Sequence, residues 1–478
     1  MAIWAKKLAH IFKASQDSTT IRVGHGLLGR VLALNKRVHI GRRLRNGAAN
    51  HVAAWLLVDC IEPALSTELA RDGAACVRHL TLSKGDPTEA LMSHDAAVDS
   101  AHLFNTVIPN EGSPVTNQKA SGRCWLFAAT NVLPVPIMNH FNIESFELSQ
   151  KYLYYFDKLE AANYILEQII DTSDRDVDDR LVQRLLLNPA EDGGQWDMFY
   201  NLVDKYGVVP QSLYPDTWSA QNARLLRTIL STKIREFALV LRELARKADA
   251  DAADAEFAWR FTDKDKKFRE HRSTPLAFAK QFTGEDSACD VQNLTSIVHD
   301  PRNEPNTRLT IDRLGNVVGG RSASYINVDM DTLKTACVDM IKAGKPIFFG
   351  CDFGKFRHRN SGIMDLAIFD YEAGFGTTLL EQNKADRLRS GESLMTHAMI
   401  LTGVHLDEQT GKPVRRKVQN SHGTETGDKG YLVMTDAWAD EFMYQAVVDA
   451  KFLADHVKAA LKTEPIVLPL WDPLGSLA

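Results

Sequence analysis

Apolar residues recur at helical spacing in the first regular part of the chain, which begins near residue 80. This spacing predicts helices over 124–139 and 147–170, and the glycine loop of "NPAEDGGQWDMF" leads into another helix. Neither glycine nor proline occurs between Pro215 and Pro275. That stretch predicts a long helix or a helical hairpin, because six apolar residues follow the helical period: Leu226, Leu230, Ile234, Phe237, Leu241 and Leu244.

After residue 345 the pattern changes to short alternating runs bounded by Gly, Asp and Lys, which is typical of strands: "PIFFGCDFG", "HAMILTGVHL", "VRRKVQNS" and "GYLVMTDAW". Helices first and antiparallel strands last predict an α+β fold. We expect five parts: an atypical basic segment (1–78), a helical lobe with the nucleophile (79–216), a mainly helical insertion for assembly (217–345), a β lobe (346–465) and a C-terminal arm (466–478).

The first 58 residues are basic, with ten Lys and Arg and a single acidic residue, Asp17. "MAIWAKKLAHIFK" places apolar residues on one helical face and lysines opposite, a composition typical of a mitochondrial transit peptide. A basic solvated arm and a misassigned start of the reading frame are the alternatives. "GHGLLG" has the glycine spacing of a dinucleotide site, but the required acidic residue is missing about twenty positions later, so we expect no cofactor.

Composition describes an ordinary soluble protein of two or three units, with 44% hydrophobic and 24% charged residues. A net charge of −5 gives no general attraction to nucleic acid or membrane, and no apolar run is long enough to span a bilayer. The six cysteines are scattered without a C-x-x-C pair, so no metal site is predicted. Few cysteines in a long chain favour a reducing compartment, and we expect a cytoplasmic protein.

Cys124 lies where the polar, glycine-broken run "VTNQKASGR" meets the apolar helical run "CWLFAATNVL". A helix N-terminus exposes unpaired N–H groups and carries partial positive charge, which favours a nucleophilic thiolate. The alternative is a buried structural cysteine. Three other residues can complete a site: His397 as base, Asn420 as its orienting partner on a neighbouring antiparallel strand, and Gln118 as a second oxyanion donor beside the Cys124 N–H.

The order Gln, Cys-Trp, His, Asn resembles that of papain-like cysteine proteases, and the chain from about residue 80 resembles the bleomycin hydrolases among them. The motifs that carry the resemblance are "NQKASGRCWLFA", "DGGQWDM", "ESLMTHAM", "DKGYLVMTDAW" and the ending "LPLWDPLGSLA". The resemblance implies a two-lobed papain-like fold, with a helical lobe, an antiparallel β-barrel-like lobe and a large helical insertion. It implies a Cys124 nucleophile with a low pKa, paired with His397, and a ring-shaped homohexamer.

Three departures from papain relatives change the expectations. Ser121 stands where those enzymes have a disulfide cysteine, so that bridge cannot form. His397 follows Cys124 by 273 residues instead of roughly 130–150, which indicates an insertion of roughly 130 residues. A third departure is His422 in "NSHG", where the family has a tryptophan that covers the His–Asn hydrogen bond. We expect poorer shielding from water and reduced activity, which His422→Trp would test.

The resemblance also implies that the C-terminal arm lies in the cleft and that the Ala478 carboxylate faces the ammonium of a peptide N-terminus. Gly193 and Gly194 would then offer backbone hydrogen bonds to the substrate. The alternative for the arm is a disordered end. We therefore expect an aminopeptidase for peptides with a free N-terminus that also hydrolyses bleomycin and homocysteine thiolactone. The alternative function is a ring that binds single-stranded nucleic acid or acts as a scaffold, suggested by "TDKDKKFREHR" at 262–272, itself otherwise a solvated charged surface.

Overall fold

The computed structural model describes residues 82–244, 257–284 and 290–476. The helices are α1 (Pro87–Ala90), α2 (His94–Asp99), α3 (Cys124–Thr130), α4 (Pro134–Phe141), α5 (Gln150–Asp171), α6 (Arg180–Leu187), α7 (Trp196–Tyr206), α8 (Trp218–Gln221), α9 (Arg224–Leu244), α10 (Pro275–Thr283), α11 (Met330–Lys342), α12 (Tyr371–Phe375), α13 (Lys384–Ser390), α14 (Asp436–Phe442) and α15 (Asp455–Ala459). Short 3₁₀ turns cover Ala450–Phe452, Ala460–Lys462 and Pro473–Gly475.

The strands are β1 (Thr106–Val107), β2 (Phe257–Thr262), β3 (Phe268–Ser273), β4 (Leu294–Val298), β5 (Thr307–Ile311), β6 (Ser324–Asn327), β7 (Ile347–Cys351), β8 (Arg357–His358), β9 (Ile363–Met364), β10 (His397–Leu406), β11 (Pro413–Gln419), β12 (Tyr431–Thr435), β13 (Met443–Asp449) and β14 (Ile466–Leu468). Within the described residues, one mixed sheet has the strand order β14-β5-β6-β4-β13-β7-β10-β11-β12-β9-β8, with β1 paired to β10. β2 and β3 form a separate antiparallel hairpin.

The contacts among Cα atoms divide the chain into two units. In the described part, residues 82–91 group with Asp370–Leu379, and the remaining residues form the larger unit, which contains every candidate site residue of the described part. Among the described residues, no helix is both long enough and apolar enough to cross a membrane.

The core of the larger unit joins helices to the sheet. All seven residues of α3 are buried, and so are all of β7 and the first eight residues of β10. Continuous apolar runs such as those of β7 and β10 form strands that are covered on both faces of the sheet. The side chains of Trp125, Phe199, Phe348 and Ile400 belong to one cluster, so the helical part and the sheet share a core. The start of β10 is therefore held rigidly against α3.

The helical predictions hold with one correction near the nucleophile. The helix predicted over 147–170 occurs as α5, with the Ser149 hydroxyl capping its first turn by accepting from the Tyr152 N–H at 3.1 Å. The helix predicted over 124–139 is instead α3 followed by α4. Pro134 has no N–H for the Thr130 carbonyl, so a continuous helix would lose that bond, and proline is favoured at the first position of the next helix.

The insertion contains strands beside the predicted helices. The leucine-rich stretch does form α9, but the same glycine- and proline-free region ends in the β2–β3 hairpin, and β4, β5 and β6 join the main sheet. Phe257, Trp259 and Phe261 alternate along β2 and pack with the aromatic side chains of the core. The alternation of apolar and polar residues that is typical of a strand was therefore present in the sequence. The absence of glycine and proline meant only that no helix-breaking residue interrupted the region, and it did not by itself indicate a helix. The predicted domain boundaries stay predictions.

Candidate active site

The segment before Cys124 is held by a buried arginine. The Arg123 guanidinium, fully inaccessible to solvent, donates two hydrogen bonds of 2.9 Å to Asp216 and one of 3.0 Å to the Ser121 hydroxyl. The Ser121 hydroxyl in turn donates to the Gln118 carbonyl at 2.6 Å. No side chain caps α3, so the N–H groups of its first turn donate no hydrogen bond to a capping side chain. Cys124, the first residue of α3, therefore begins a helix whose position is set by an ion pair.

The glycine loop before α7 packs directly on α3. The Trp125 indole N–H donates to the Asp192 carbonyl at 2.6 Å. A Cβ built on Gly194 would lie 2.5 Å from the Trp125 ring, so glycine is required there for packing alone. Gly193 lines a cavity together with Leu470 of the C-terminal arm. Substrate contacts of Gly193 and Gly194 stay predictions.

The Gln118 side chain is oriented by one residue close to it in the sequence, Ser121, and by one far from it, Ser421. Its Oε1 accepts from the Ser421 hydroxyl at 2.6 Å, and its Nε2 donates to the Ser121 carbonyl at 2.7 Å. The Gln118 backbone N–H also donates to the Ser421 carbonyl at 2.8 Å. One hydrogen of Nε2 is thus used within the protein, and the second is available as an oxyanion donor.

His397 and Asn420 meet as the spacing predicted. β10 and β11 are antiparallel neighbours, with Ile400 opposite Gln419. The His397 Nε2 lies 2.9 Å from the Asn420 Oδ1, and both residues are buried. Because Nε2 is occupied in this way, the Nδ1 of His397 is the nitrogen left to exchange a proton with the nucleophile. The Sγ of Cys124 accepts a hydrogen bond from the backbone N–H of Ala398, which places the thiol beside the start of β10.

Aromatic rings enclose the His–Asn pair. The Phe353 ring lies 4.5 Å from the His397 ring between centroids, and the His422 ring lies 5.2 Å away at 30°. The Asn420 Nδ2 donates to the His422 Nδ1 at 3.1 Å. His422 therefore covers part of the pair and also contacts it by a hydrogen bond. The reduced activity predicted from this residue stays a prediction.

Burial is the largest influence on the pKa values of Cys124 and His397. It raises the pKa of the Cys124 thiol to about 11, although N–H groups of Ala398, Trp125 and Cys124 act in the opposite direction. Burial also lowers the pKa of His397 to about 3, against the effect of its hydrogen bond to Asn420. Burial therefore opposes the effect of the helix N-terminus on Cys124. The low Cys124 pKa expected from pairing with His397 stays a prediction.

The C-terminal arm is packed as far as Ser476. The Gln195 Nε2 donates to the Ser476 carbonyl at 2.7 Å, and the Ser476 hydroxyl donates to the Met395 carbonyl at 2.9 Å. Asp472 accepts from the Arg302 guanidinium at 2.7 Å. The arm thus reaches the residue before α7 and a residue two positions before His397, and through Ser476 the alternative of a disordered end is wrong. Ala478 lies outside the described residues, as does the basic segment 1–78.

Some supporting residues escaped the sequence analysis. Ser421 could have been found, because it directly follows Asn420, whereas nothing in the sequence connects Asp216 with Arg123. Phe353 and Asp192 likewise reach the site from separate segments. The site combines a cysteine at a helix start with a histidine held by an asparagine, and a glutamine amide lies nearby. On this fold, that combination defines the protein as a papain-like cysteine peptidase.

Comparisons with known proteins agree with this class. The Peptidase C1-like family matches residues 58–256 and 250–475. "Cysteine proteinase 1, mitochondrial" of Saccharomyces cerevisiae (strain ATCC 204508 / S288c) is 43% identical over 409 residues, which cover 79% of this chain and 83% of the yeast protein. "Bleomycin hydrolase" of Homo sapiens is 42% identical over 411 residues, covering 79% of this chain and 89% of the human protein.

A solved structure shows the same relationship. The crystal structure of PepW from Lactobacillus rhamnosis HN001 superposes with a TM-score of 0.80 at 37% identity, covering 86% of this chain and 97% of PepW. The chain belongs to the peptidase C1-like family, and it is a cysteine peptidase of the bleomycin hydrolase type.

Proposed function

We propose that this cysteine peptidase is an aminopeptidase whose cleft is limited by its own C-terminal arm. The observation that carries the proposal is the double hydrogen bonding of Ser476 to Gln195 and Met395, next to α7 and to His397. Two residues follow Ser476, and in a chain that ends at Ala478 a carboxylate would face the substrate's ammonium group. Opposite charges attract strongly in a cleft of reduced dielectric, so a free N-terminus would be selected.

The proposed mechanism begins with the Cys124–His397 pair. His397 takes the thiol proton through Nδ1, and the Cys124 thiolate attacks the carbonyl of the first peptide bond. Asn420 holds the imidazole in the required tautomer by accepting from Nε2. The free hydrogen of Gln118 Nε2 and the Cys124 N–H stabilise the oxyanion. His397 then protonates the leaving amine, and water activated by the same imidazole releases the acyl group.

Fluorophore release from an unblocked aminoacyl amide, beside its N-acetylated form, tests the proposal. We expect cleavage of the free-amine substrate alone, abolished by a thiol alkylator and by Cys124→Ala. Cys337→Ala is the matched control, since Cys337 is another buried cysteine, on α11. Equal cleavage of both substrates would refute the role of the arm, and full activity in Cys124→Ala would refute the nucleophile.

Bleomycin and homocysteine thiolactone would be hydrolysed by the same acyl transfer, because an amide and a thioester both present a carbonyl to the Cys124 sulfur. The name of the human relative supports the first substrate. Release of deamidated bleomycin and of free homocysteine, each lost in Cys124→Ala, would be expected. Retained hydrolysis in that variant would contradict a shared site.

A homohexamer is the proposed assembly, and α9 supplies the supporting surface. Leu225, Ile229 and Phe237 are exposed by 64%, 52% and 54% on this helix. Exposed apolar residues grouped in this way mark interaction surfaces. Light scattering should give six protomers, and Phe237→Glu should reduce the assembly. A monomeric wild-type protein would refute this proposal.

The nucleic-acid or scaffold function remains the alternative hypothesis. Residues 262–272 form much of the β2–β3 hairpin, where Arg269 pairs with Asp263 at 2.9 Å and Arg272 pairs with Glu270 at 2.8 Å. These ion pairs reduce the charge offered to phosphate. Salt-dependent retention on single-stranded DNA that persists in Cys124→Ala would favour the alternative.

A mitochondrial form beside a cytoplasmic one is the proposed localisation, supported by the composition of residues 1–78 and by the name of the yeast relative. Fusion of residues 1–78 to a fluorescent protein should direct part of it to mitochondria. Purely cytoplasmic fluorescence would contradict the targeting function.

A further inference from the structure

The orientation of the Asn420 amide is determined by its own neighbour. The Ser421 backbone N–H points at the Asn420 Oδ1 at 2.8 Å. A backbone N–H can only donate, so the atom that it faces must be the amide oxygen. The same oxygen accepts from His397 Nε2 at 2.9 Å. The amide nitrogen of Asn420 must therefore be the atom on the other side.

That nitrogen lies 3.1 Å from the Nδ1 of His422. Because Nδ2 of Asn420 carries only donors, His422 Nδ1 must present a lone pair, and the imidazole proton resides on Nε2. A protonated His422 would place one N–H against another. The amide cannot turn over in response, since its NH₂ group would then face the Ser421 N–H.

The surroundings of His422 also oppose a positive charge. Burial together with the guanidinium groups of Arg357 and Arg359 lowers the pKa of His422. Its other neighbours are the rings of His397 and Phe353, at centroid distances of 5.2 and 5.9 Å, and a backbone bridge to Asn117. An imidazole is either neutral or positively charged, so the His397 ring packed on His422 offers no negative charge to stabilise a protonated His422.

We propose that His422 is a positioning residue that holds Asn420, and through it His397, only while its own imidazole is neutral. Uptake of a proton by His422 replaces an attractive hydrogen bond with a donor–donor contact. Asn420 or the His422 ring then moves, and His397 loses the partner that orients it towards Cys124. The peptidase would thus lose activity in acid through a residue that contacts neither substrate nor nucleophile.

Two variants separate this role from simple packing. His422→Asn keeps an acceptor at the position of Nδ1 but does not titrate, and His422→Phe keeps a ring without an acceptor. The readout is the rate of Cys124 alkylation by chloroacetamide, followed by intact mass from about pH 8 to about pH 4, which extends well below the ordinary histidine pKa because that of His422 is lowered. Although the inference rests on the roles proposed for Cys124 and His397, alkylation needs no peptide, so failure of the aminopeptidase proposal leaves this test intact.

At about pH 8 we expect His422→Asn to react within about threefold of the wild type and His422→Phe about tenfold more slowly, as for loss of one hydrogen bond. Towards about pH 4 the wild-type rate should fall to that of the Phe variant, while the Asn variant stays faster. Parallel acid limbs in wild type and His422→Asn would overturn the proposal, as would equal rates of the Asn and Phe variants at about pH 8. Two-bond ¹⁵N–¹H spectra of the wild type give a test without variants, since a proton on His422 Nδ1 would also overturn it.

Discussion

Removal of the Asp216 carboxylate should destabilise the protein far more than removal of a typical ion-pair partner. Arg123 is wholly buried and Asp216 is 9% exposed at its side chain, and two hydrogen bonds of 2.9 Å join them. In Asp216→Ala the guanidinium keeps only its bond to the Ser121 hydroxyl and its contacts with the Phe127 and Tyr154 rings. A buried charge is then left without its counter-ion.

Breaking a buried pair by removing one partner costs about 3–5 kcal/mol. The loss should depend on pH, because Glu147 also faces Arg123 and Asp216. Burial, with a contribution from the Asp216 charge, raises the pKa of Glu147 to about 7. Asp216→Ala removes that contribution, so the Glu147 pKa falls below the wild-type value, and the full cost applies only in more acidic solution, where Glu147 is neutral. At about pH 8 its ionised carboxylate replaces part of the missing charge, so we expect a smaller loss.

The assay is urea unfolding followed by tryptophan fluorescence, at about pH 5 and about pH 8, so that Glu147 is neutral at the lower pH and ionised at the higher one in the variant. The matched control is Glu236→Ala, which removes an exposed pair with Lys233 and should cost less than about 1 kcal/mol. A loss in Asp216→Ala no larger than in the control would refute the reasoning. A loss that does not diminish at the higher pH would refute the compensating role of Glu147.

Three further predictions concern the site and its supports. Gln118→Ala should lower kcat by about 10²–10³ with little change in KM, because the second hydrogen of its Nε2 would bind the oxyanion of the transition state and not the ground-state carbonyl. Deletion of residues 473–478 removes the Ser476 contacts and should allow cleavage of N-acetylated substrates. Gly194→Ala should cost about 1–3 kcal/mol in unfolding free energy, since the added Cβ would meet the Trp125 ring at 2.5 Å. Gly354→Ala is its control, because nothing lies within 4 Å of a Cβ there.

Each of these predictions has a defined contrary result. A rise in KM with unchanged kcat in Gln118→Ala would assign the amide to substrate binding. Continued discrimination against acetylated substrates after the deletion would place the determinant of N-terminal specificity outside the arm. Equal unfolding midpoints for the two glycine variants would show that the Trp125 ring can move aside.

Much of the site could be predicted because its chemistry is carried by local patterns. A polar glycine loop followed by an apolar run places Cys124 at a helix start, and two alternating runs separated by a turn bring His397 near Asn420. The β2–β3 hairpin was missed although its aromatic residues alternate, because a longer helical pattern directly precedes it. Local periodicity thus determines elements well and their boundaries poorly.

What the sequence determined by itself was the set of reacting groups, the α+β class and the order of elements that carries them. The tertiary structure decided which residues support those groups and how deeply the groups are buried. Asp216 reaches Arg123, and Ser421 reaches Gln118, across long stretches of chain that no local pattern connects. Burial, which only the packed core defines, raises the pKa of the Cys124 thiol and so opposes the helix N-terminus, because removing water penalises a charge.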